Sequence, residues 1–146
     1  MSCESNFSMA LVSEDYESLQ RFFYVLKCEG KDYNLPNSIL IDDPWIYPKH
    51  RDGFYFVAIS GETTRIFKNM LNHNFETHFI QKQKTDSIDI LCSVFNVAIE
   101  VYYEQYSSST KGHIIINNKG EIVVNNETHI DTKRFQKPWK LKDILK

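Results

Sequence analysis

From Ser13 onward, apolar residues return at three- and four-residue steps. Tyr16, Leu19, Phe23 and Leu26 form one stripe, the spacing of a helix face set against a core. Ser13 can cap this helix, and Glu14, Asp15 and Glu17 place negative charge in its first turn, where the helix dipole favours it. Cys28 falls near its end, and Gly30 follows as a stop. Periodicity is lost from Asp32 to Arg51. Pro36, Pro44 and Pro48 interrupt that stretch, because proline lacks the N–H that a helix or central strand needs. Within it, Ser38 to Ile41 reads as a short strand, and Trp45, Ile46 and Tyr47 as a loop anchored by rings. Asp52-Gly53 then makes a turn, and a mostly apolar run carries the chain to Ser60. Phe67, Leu71, Phe75 and Phe79 stand four apart, which predicts a helix, or two joined near His73.

The segment from Thr85 has the most complete local signals. Thr85 or Ser87 can cap a helix, and Ile88, Leu91, Cys92 and Phe95 fall at i, i+3, i+4 and i+7. Asn96 can end it. Val97 to Tyr103 then reads as a mostly buried strand. Glu104 to Gly112 reads as a polar loop. Strands are predicted at His113–Ile116 and Glu121–Val124, with a hairpin turn at Asn117 to Gly120 and a second turn at Asn125-Asn126. The expected fold class is α/β (α+β in other schemes), a small and mostly antiparallel central sheet flanked by helices. The chain has 146 residues, which suits one domain, drawn as 1–132 with a tail at 133–146.

Composition changes this picture in three places. Ten Phe and eight Tyr predict a ring-rich core with some rings left for a surface. The three cysteines, Cys3, Cys28 and Cys92, are odd in number and far apart, which argues against a disulfide framework and against a CxxC zinc site. Free thiols in a reducing, intracellular compartment are expected, with Cys92 a core thiol on its helix stripe. No apolar run approaches the ~20 residues of a membrane span, and Met1-Ser2-Cys3-Glu4 does not begin a signal peptide. His50, His73, His78 and His113 lack metal-ligand spacing, so no metal or cofactor is expected. Net charge is −2, but Lys133 to Lys146 alone carries +5, leaving an acidic body and a basic end.

Three stretches, in order, resemble the OTU (ovarian-tumour) family of cysteine deubiquitinases. Asp52-Gly53-Phe54-Tyr55-Phe56 resembles the family's Asp-Gly-Asn-Cys-Leu-Phe motif; Ile88 to Tyr102 resembles its helix-then-strand segment; Ile122 to Thr132, with His129 and Asp131, resembles its closing strand and His-Tyr-Asp-Ser. The resemblance spans roughly Arg51 to Thr132. It implies a papain-like fold in which the nucleophile opens a buried helix, His129 is the general base and Asp131 orients it. Asp52 matches the acidic residue that opens the nucleophile motif. Yet the nucleophile position is Tyr55, whose phenol has an ordinary pKa of ~10 and cannot replace a thiolate. Phe54 removes a polar residue beside the oxyanion hole, and Gln83-Lys84-Thr85 stands where a Trp-Gly-Gly-like stretch is usual.

The resemblance therefore implies a degenerate, catalytically inactive module that binds protein, with ubiquitin as a candidate partner. Phe54, Tyr55, Trp45 and Trp139 are the candidate binding residues. Two alternatives remain. One is an active deubiquitinase with an unexpected nucleophile. The other is nucleic-acid binding by the tail, where Lys133, Arg134, Lys137, Lys140 and Lys142 accompany Phe135 and Trp139; the acidic body argues against it.

Overall fold

Ser5–Ser13 forms the strand on which the molecule is built. The computed structural model describes residues 5–29, 39–41, 49–51, 53–63, 71, 74–76, 85–105 and 110–128. In chain order the elements are β1 (Ser5–Ser13), α1 (Tyr16–Glu29), β2 (Ile39–Ile41), β3 (Lys49–Arg51), β4 (Phe54–Thr63), β5 (Asn74–Glu76), β6 (Thr85–Ser87), α2 (Ile88–Phe95), β7 (Ala98–Gln105), β8 (Thr110–Ile116) and β9 (Ile122–Thr128). Seven strands make one sheet in the order β2-β4-β1-β7-β8-β9, with β3 beside β2 on the outer edge of β4. Every described pairing is antiparallel. β5 and β6 form a separate two-stranded ribbon.

The sheet has two unlike faces, because successive strand residues point to opposite sides. One face presents Phe7, Met9 and Leu11 of β1, Val57 of β4, Ile99, Val101 and Tyr103 of β7, and Ile114 and Ile116 of β8. Both helices pack on this face. α1 contributes Leu19, Phe22, Val25 and Leu26, and α2 contributes Ile88, Leu91, Cys92 and Phe95. Phe22 and Phe95 join the helices edge to face, with ring centroids 6.5 Å apart. The other face carries a smaller cluster of Ala10, Val12, Ala98 and Ile115, with Phe54, Phe56 and Val124 packed beside it. The expected α/β class with an antiparallel sheet is observed at this level. Helices flank it as expected, and the two described helices share one face.

The local expectations divide by mechanism. α2 forms where its caps predict, and all four stripe residues are buried. Ser87 is its N-cap by backbone, but its hydroxyl donates to Asp89 (2.5 Å) rather than capping an N–H. Asn96 closes the helix in the left-handed region, at φ 55° and ψ 47°. The first helix is capped by Asp15 rather than Ser13: Asp15 Oδ1 accepts from the Glu17 N–H (3.2 Å) and Oδ2 from the Ser18 hydroxyl (2.7 Å). That Ser18 bond holds the Asp15 carboxyl below its ordinary pKa. Ser13 ends β1 instead, donating to Asn96 O at 2.8 Å and accepting from the Asp15 N–H at 3.1 Å. The buried stripe of α1 uses Phe22 and Val25, while Tyr16 is exposed and Phe23 only half-buried.

Three expectations are corrected. The helix drawn through Phe75 is the strand Asn74–Glu76, held by β6 through the pair Phe75 with Asp86. The turn at Asn125-Asn126 is the middle of β9, opposite Ile114 and His113. The polar loop from Glu104 to Gly112 is largely strand, since β7 runs to Gln105 and β8 starts at Thr110. The hairpin turn forms as expected: Gly120 donates to Asn117 O (3.0 Å), and Asn117 Oδ1 accepts from the Lys119 and Glu121 N–H groups.

Candidate functional site

Tyr55 stands on β4, not at the start of a helix. The run Phe54, Tyr55, Phe56, Val57 is aromatic and β-branched, which fits a pleated, half-buried strand. Gly53 precedes it at φ +82°, so the expected turn is present but opens a strand. Tyr55 pairs with Ser13 and lies on the helix-bearing face. Its ring meets Tyr16 of α1 edge to face at 5.4 Å. It thus closes the margin of the core. Phe54, one residue earlier, belongs to the cluster on the opposite face. Two neighbours read as one binding patch are separated by the sheet.

Asp52, Trp45, His129, Asp131 and Trp139 lie outside the described residues, as does the tail boundary at 132. The register still locates the described residue next to His129. Thr128 pairs with Lys111, Lys111 with Glu104, Glu104 with Asn6, and Asn6 with Glu62. Thr128 is therefore four strands from β4 and level with Glu62, seven residues along from Tyr55. At about 4.8 Å per strand and about 3.3 Å per residue, Tyr55 and Thr128 are on the order of 30 Å apart, at diagonal corners of the sheet.

The chemistry-bearing group that the fold does assemble is different. On the face away from the helices, Glu100 of β7 is completely buried. Its Oε2 accepts from the Tyr102 hydroxyl at 3.1 Å and lies 2.6 Å from His113 Nε2 on β8. Tyr102 and His113 are paired across the strands, and their rings stack with centroids 4.2 Å apart and planes 4° from parallel. An ionised carboxylate only accepts, so with Glu100 charged the shared proton sits on Nε2. Burial, then the charge and hydrogen bond of Glu100, push the Tyr102 phenol up to about 12. Ser8 is in the same cross-sheet row but two strands from His113, about 10 Å, so no nucleophile–base contact forms between them. No group of three metal-ligating side chains occurs among the described residues.

Tyr103 ionises late as well, pushed up to about 12 by burial and then by Glu127. For both phenols the folded value lies above the ordinary value of about 10. The stability they confer is whole below pH 10 and is lost as pH rises through 12. We expect phenolate absorbance of these two residues to emerge only near pH 12, together with loss of structure. Early phenolate absorbance from all eight tyrosines, near pH 10, would contradict the packing.

Cys92 fits its expected role. It is buried in the core, and its thiol is held protonated well above the ordinary range by burial and then by Asp89. It should resist alkylation in the native protein and react only at the rate of unfolding. Rapid labelling under native conditions, followed by peptide mass mapping, would contradict this.

Exposed apolar side chains mark a second feature. Ile90 and Val94 stand one turn apart on the solvent side of α2. Ile122 and Val123 lie on β9 at 46% and 44% exposure. The turn leading into β9 seats on α2: a Cβ on Gly120 would lie 2.6 Å from Asp89 O, and Asn118 Nδ2 donates to Asn96 Oδ1 at 2.8 Å. Among the described residues β9 pairs with β8 alone, which makes it a sheet edge. Among those residues, too, no helix is long and apolar enough to cross a membrane.

Glu100, Tyr102 and His113 were not among the candidate site residues. Their signal lay in the alternation Glu100-Val101-Tyr102 within an otherwise apolar strand, which aims two polar groups at one face. The class so defined is a mixed α/β domain with an antiparallel sheet and helices on one face. Comparison with family models, curated proteins and solved structures finds no match.

Proposed function

We propose that this chain is a non-catalytic protein-interaction domain. One observation carries the reading: Ile122 and Val123 are large, β-branched and nearly half exposed on a strand that, among the described residues, is paired on one side only. An edge of this kind is a template for pairing with another chain, and folded domains normally blunt it with Lys, Pro or a cover. β9 contains neither Lys nor Pro, and one bulge, at Val123, interrupts the edge before the regular run from Val124 to Thr128. Tyr55 supplies a phenol where the OTU resemblance needs a thiolate, and the Cys92 thiol is buried and protonated.

The narrower form of the proposal, a degenerate OTU-like domain of papain-like fold that binds ubiquitin, draws on the three sequence motifs alone. The strand at Tyr55 and the diagonal separation of Tyr55 from Thr128 count against it. A photoreactive residue at Val123 should capture a protein partner that the same group at exposed Gln20 of α1 does not. Equal capture at both positions would remove the assignment of the surface. A ubiquitin carrying a C-terminal electrophile should leave the protein unmodified; capture lost on replacing Cys3, Cys28 or Cys92 would establish an enzyme instead.

A further inference from the structure

We propose, building on the protein-interaction reading, that β9 accepts an extended segment with β-branched residues at its centre and cations at its two ends. The outer side of β9 is taken by no described strand, and Ile122, Val123, Asn125, Asn126 and Glu127 are exposed along it. The backbone of an added strand would bond to this edge, while side chains two apart would read one face.

Charge selects the occupant. Glu121 and Glu127 are exposed and bracket Ile122, Val123 and Val124. Glu121 accepts one neutral bond, from Asn117 Nδ2 at 3.3 Å, and among the described residues neither carboxylate is in an ion pair. They are six residues apart, but the bulge at Val123 takes up one, so in an extended antiparallel partner the matching cations stand five positions apart, about 17 Å, one toward each face. Opposite charges across a strand pair stabilise it, and like charges directly opposite destabilise it. A second copy is the poorer occupant: pairing β9 with its own two-fold mate lines one joint with four carboxylates, Glu121 and Glu127 of each chain. A polyanion such as nucleic acid is opposed by the same pair.

The register break in β9 gives the edge its shape. Ile116 pairs with Ile122 and Ile115 with Val124, so Val123 is the extra residue of a bulge. Bulges turn an edge and interrupt its ladder. The incoming strand is therefore expected to pair best from Val124 to Glu127, with its apolar centre covering Val123 and Ile122 beyond the bulge.

The full chain labelled with ¹⁵N, titrated with a blocked peptide Lys-Thr-Val-Thr-Val-Lys, tests this directly. Amide shifts and slowed hydrogen exchange are expected along residues 122–127, with affinity that falls as salt rises. The same peptide with glutamate at both ends should bind at least fivefold more weakly. A Glu121→Lys/Glu127→Lys variant changes only exposed side chains and should reverse that preference. Equal affinity for both peptides, or shifts that avoid β9, would overturn the inference. A concentration-dependent dimer protecting the same amides would also overturn it, while leaving the protein-interaction reading intact. If the Val123 cross-link found no partner and neither peptide bound, both would fall.

Discussion

Glu100→Ala is expected to cost about 2–4 kcal/mol of folding stability, since a buried donor left without its acceptor costs roughly 1–3 kcal/mol and two donors lose theirs. The carboxylate is fully buried and takes two donors on one oxygen, from Tyr102 and from His113. Its removal leaves a phenol and an imidazole without their acceptor, on a face already short of water. Glu100→Gln keeps an acceptor oxygen in place and should cost less, about 1–2 kcal/mol, because only charge assistance is lost. Urea unfolding should show a lower midpoint at unchanged slope for both variants. A midpoint as high as wild type for Glu100→Ala would mean that the pair is absent. The apolar replacement of the whole group, Glu100→Leu with Tyr102→Phe and His113→Leu, should be far milder than Glu100→Ala alone. Once no donor is stranded, the desolvation penalty goes with the charge.

Gly112→Ala should be nearly as damaging, for the opposite reason. A Cβ at this position would lie 1.9 Å from Cζ and 2.1 Å from Cε1 of Tyr103. The two residues face each other across β7 and β8, and the Tyr103 ring lies over the glycine. Tyr103 is only 1% exposed, so the ring has no open side to move into. Overpacking of this kind costs about 1–3 kcal/mol, occasionally more, and the upper end is expected here. Adding Tyr103→Leu should recover part of the loss, a non-additivity that a double-mutant cycle would read. Additive losses would place the ring elsewhere.

Much of the fold was legible where its causes are local. α2 has cap, stripe and left-handed stop within ten residues, and these signals did not compete. The N-terminal strand β1 went unread because Phe7, Met9, Ala10, Leu11 and Val12 are buried on both faces of the sheet. A strand buried on both sides loses its alternation, and periodicity cannot distinguish it from other buried segments. Phe75 kept helical spacing with Leu71 and Phe79, yet its partner is Asp86, reached only through tertiary pairing. Asn125 and Asn126 favour turns, but an exposed edge strand tolerates both.

The site was less legible than the fold. Glu100 and His113 are 13 residues apart in sequence and meet because β7 and β8 pair with one particular register. Shifting that register by one residue would send both side chains to different faces. Tyr55 misled in another way. A three-motif resemblance assigned it to a helix start, while the local run of rings and Val57 already favoured a strand.

Tyr55 and the end of β9 occupy opposite corners of one sheet, and the proposed use of the β9 edge depends on that separation. A spin label at Glu127→Cys, in a chain with Cys3 and Cys28 changed to serine, measures this in one spectrum. Broadening of the Gly112 and Tyr103 amides with the Tyr55 amide left sharp is the predicted result. A broadened Tyr55 amide would contradict it.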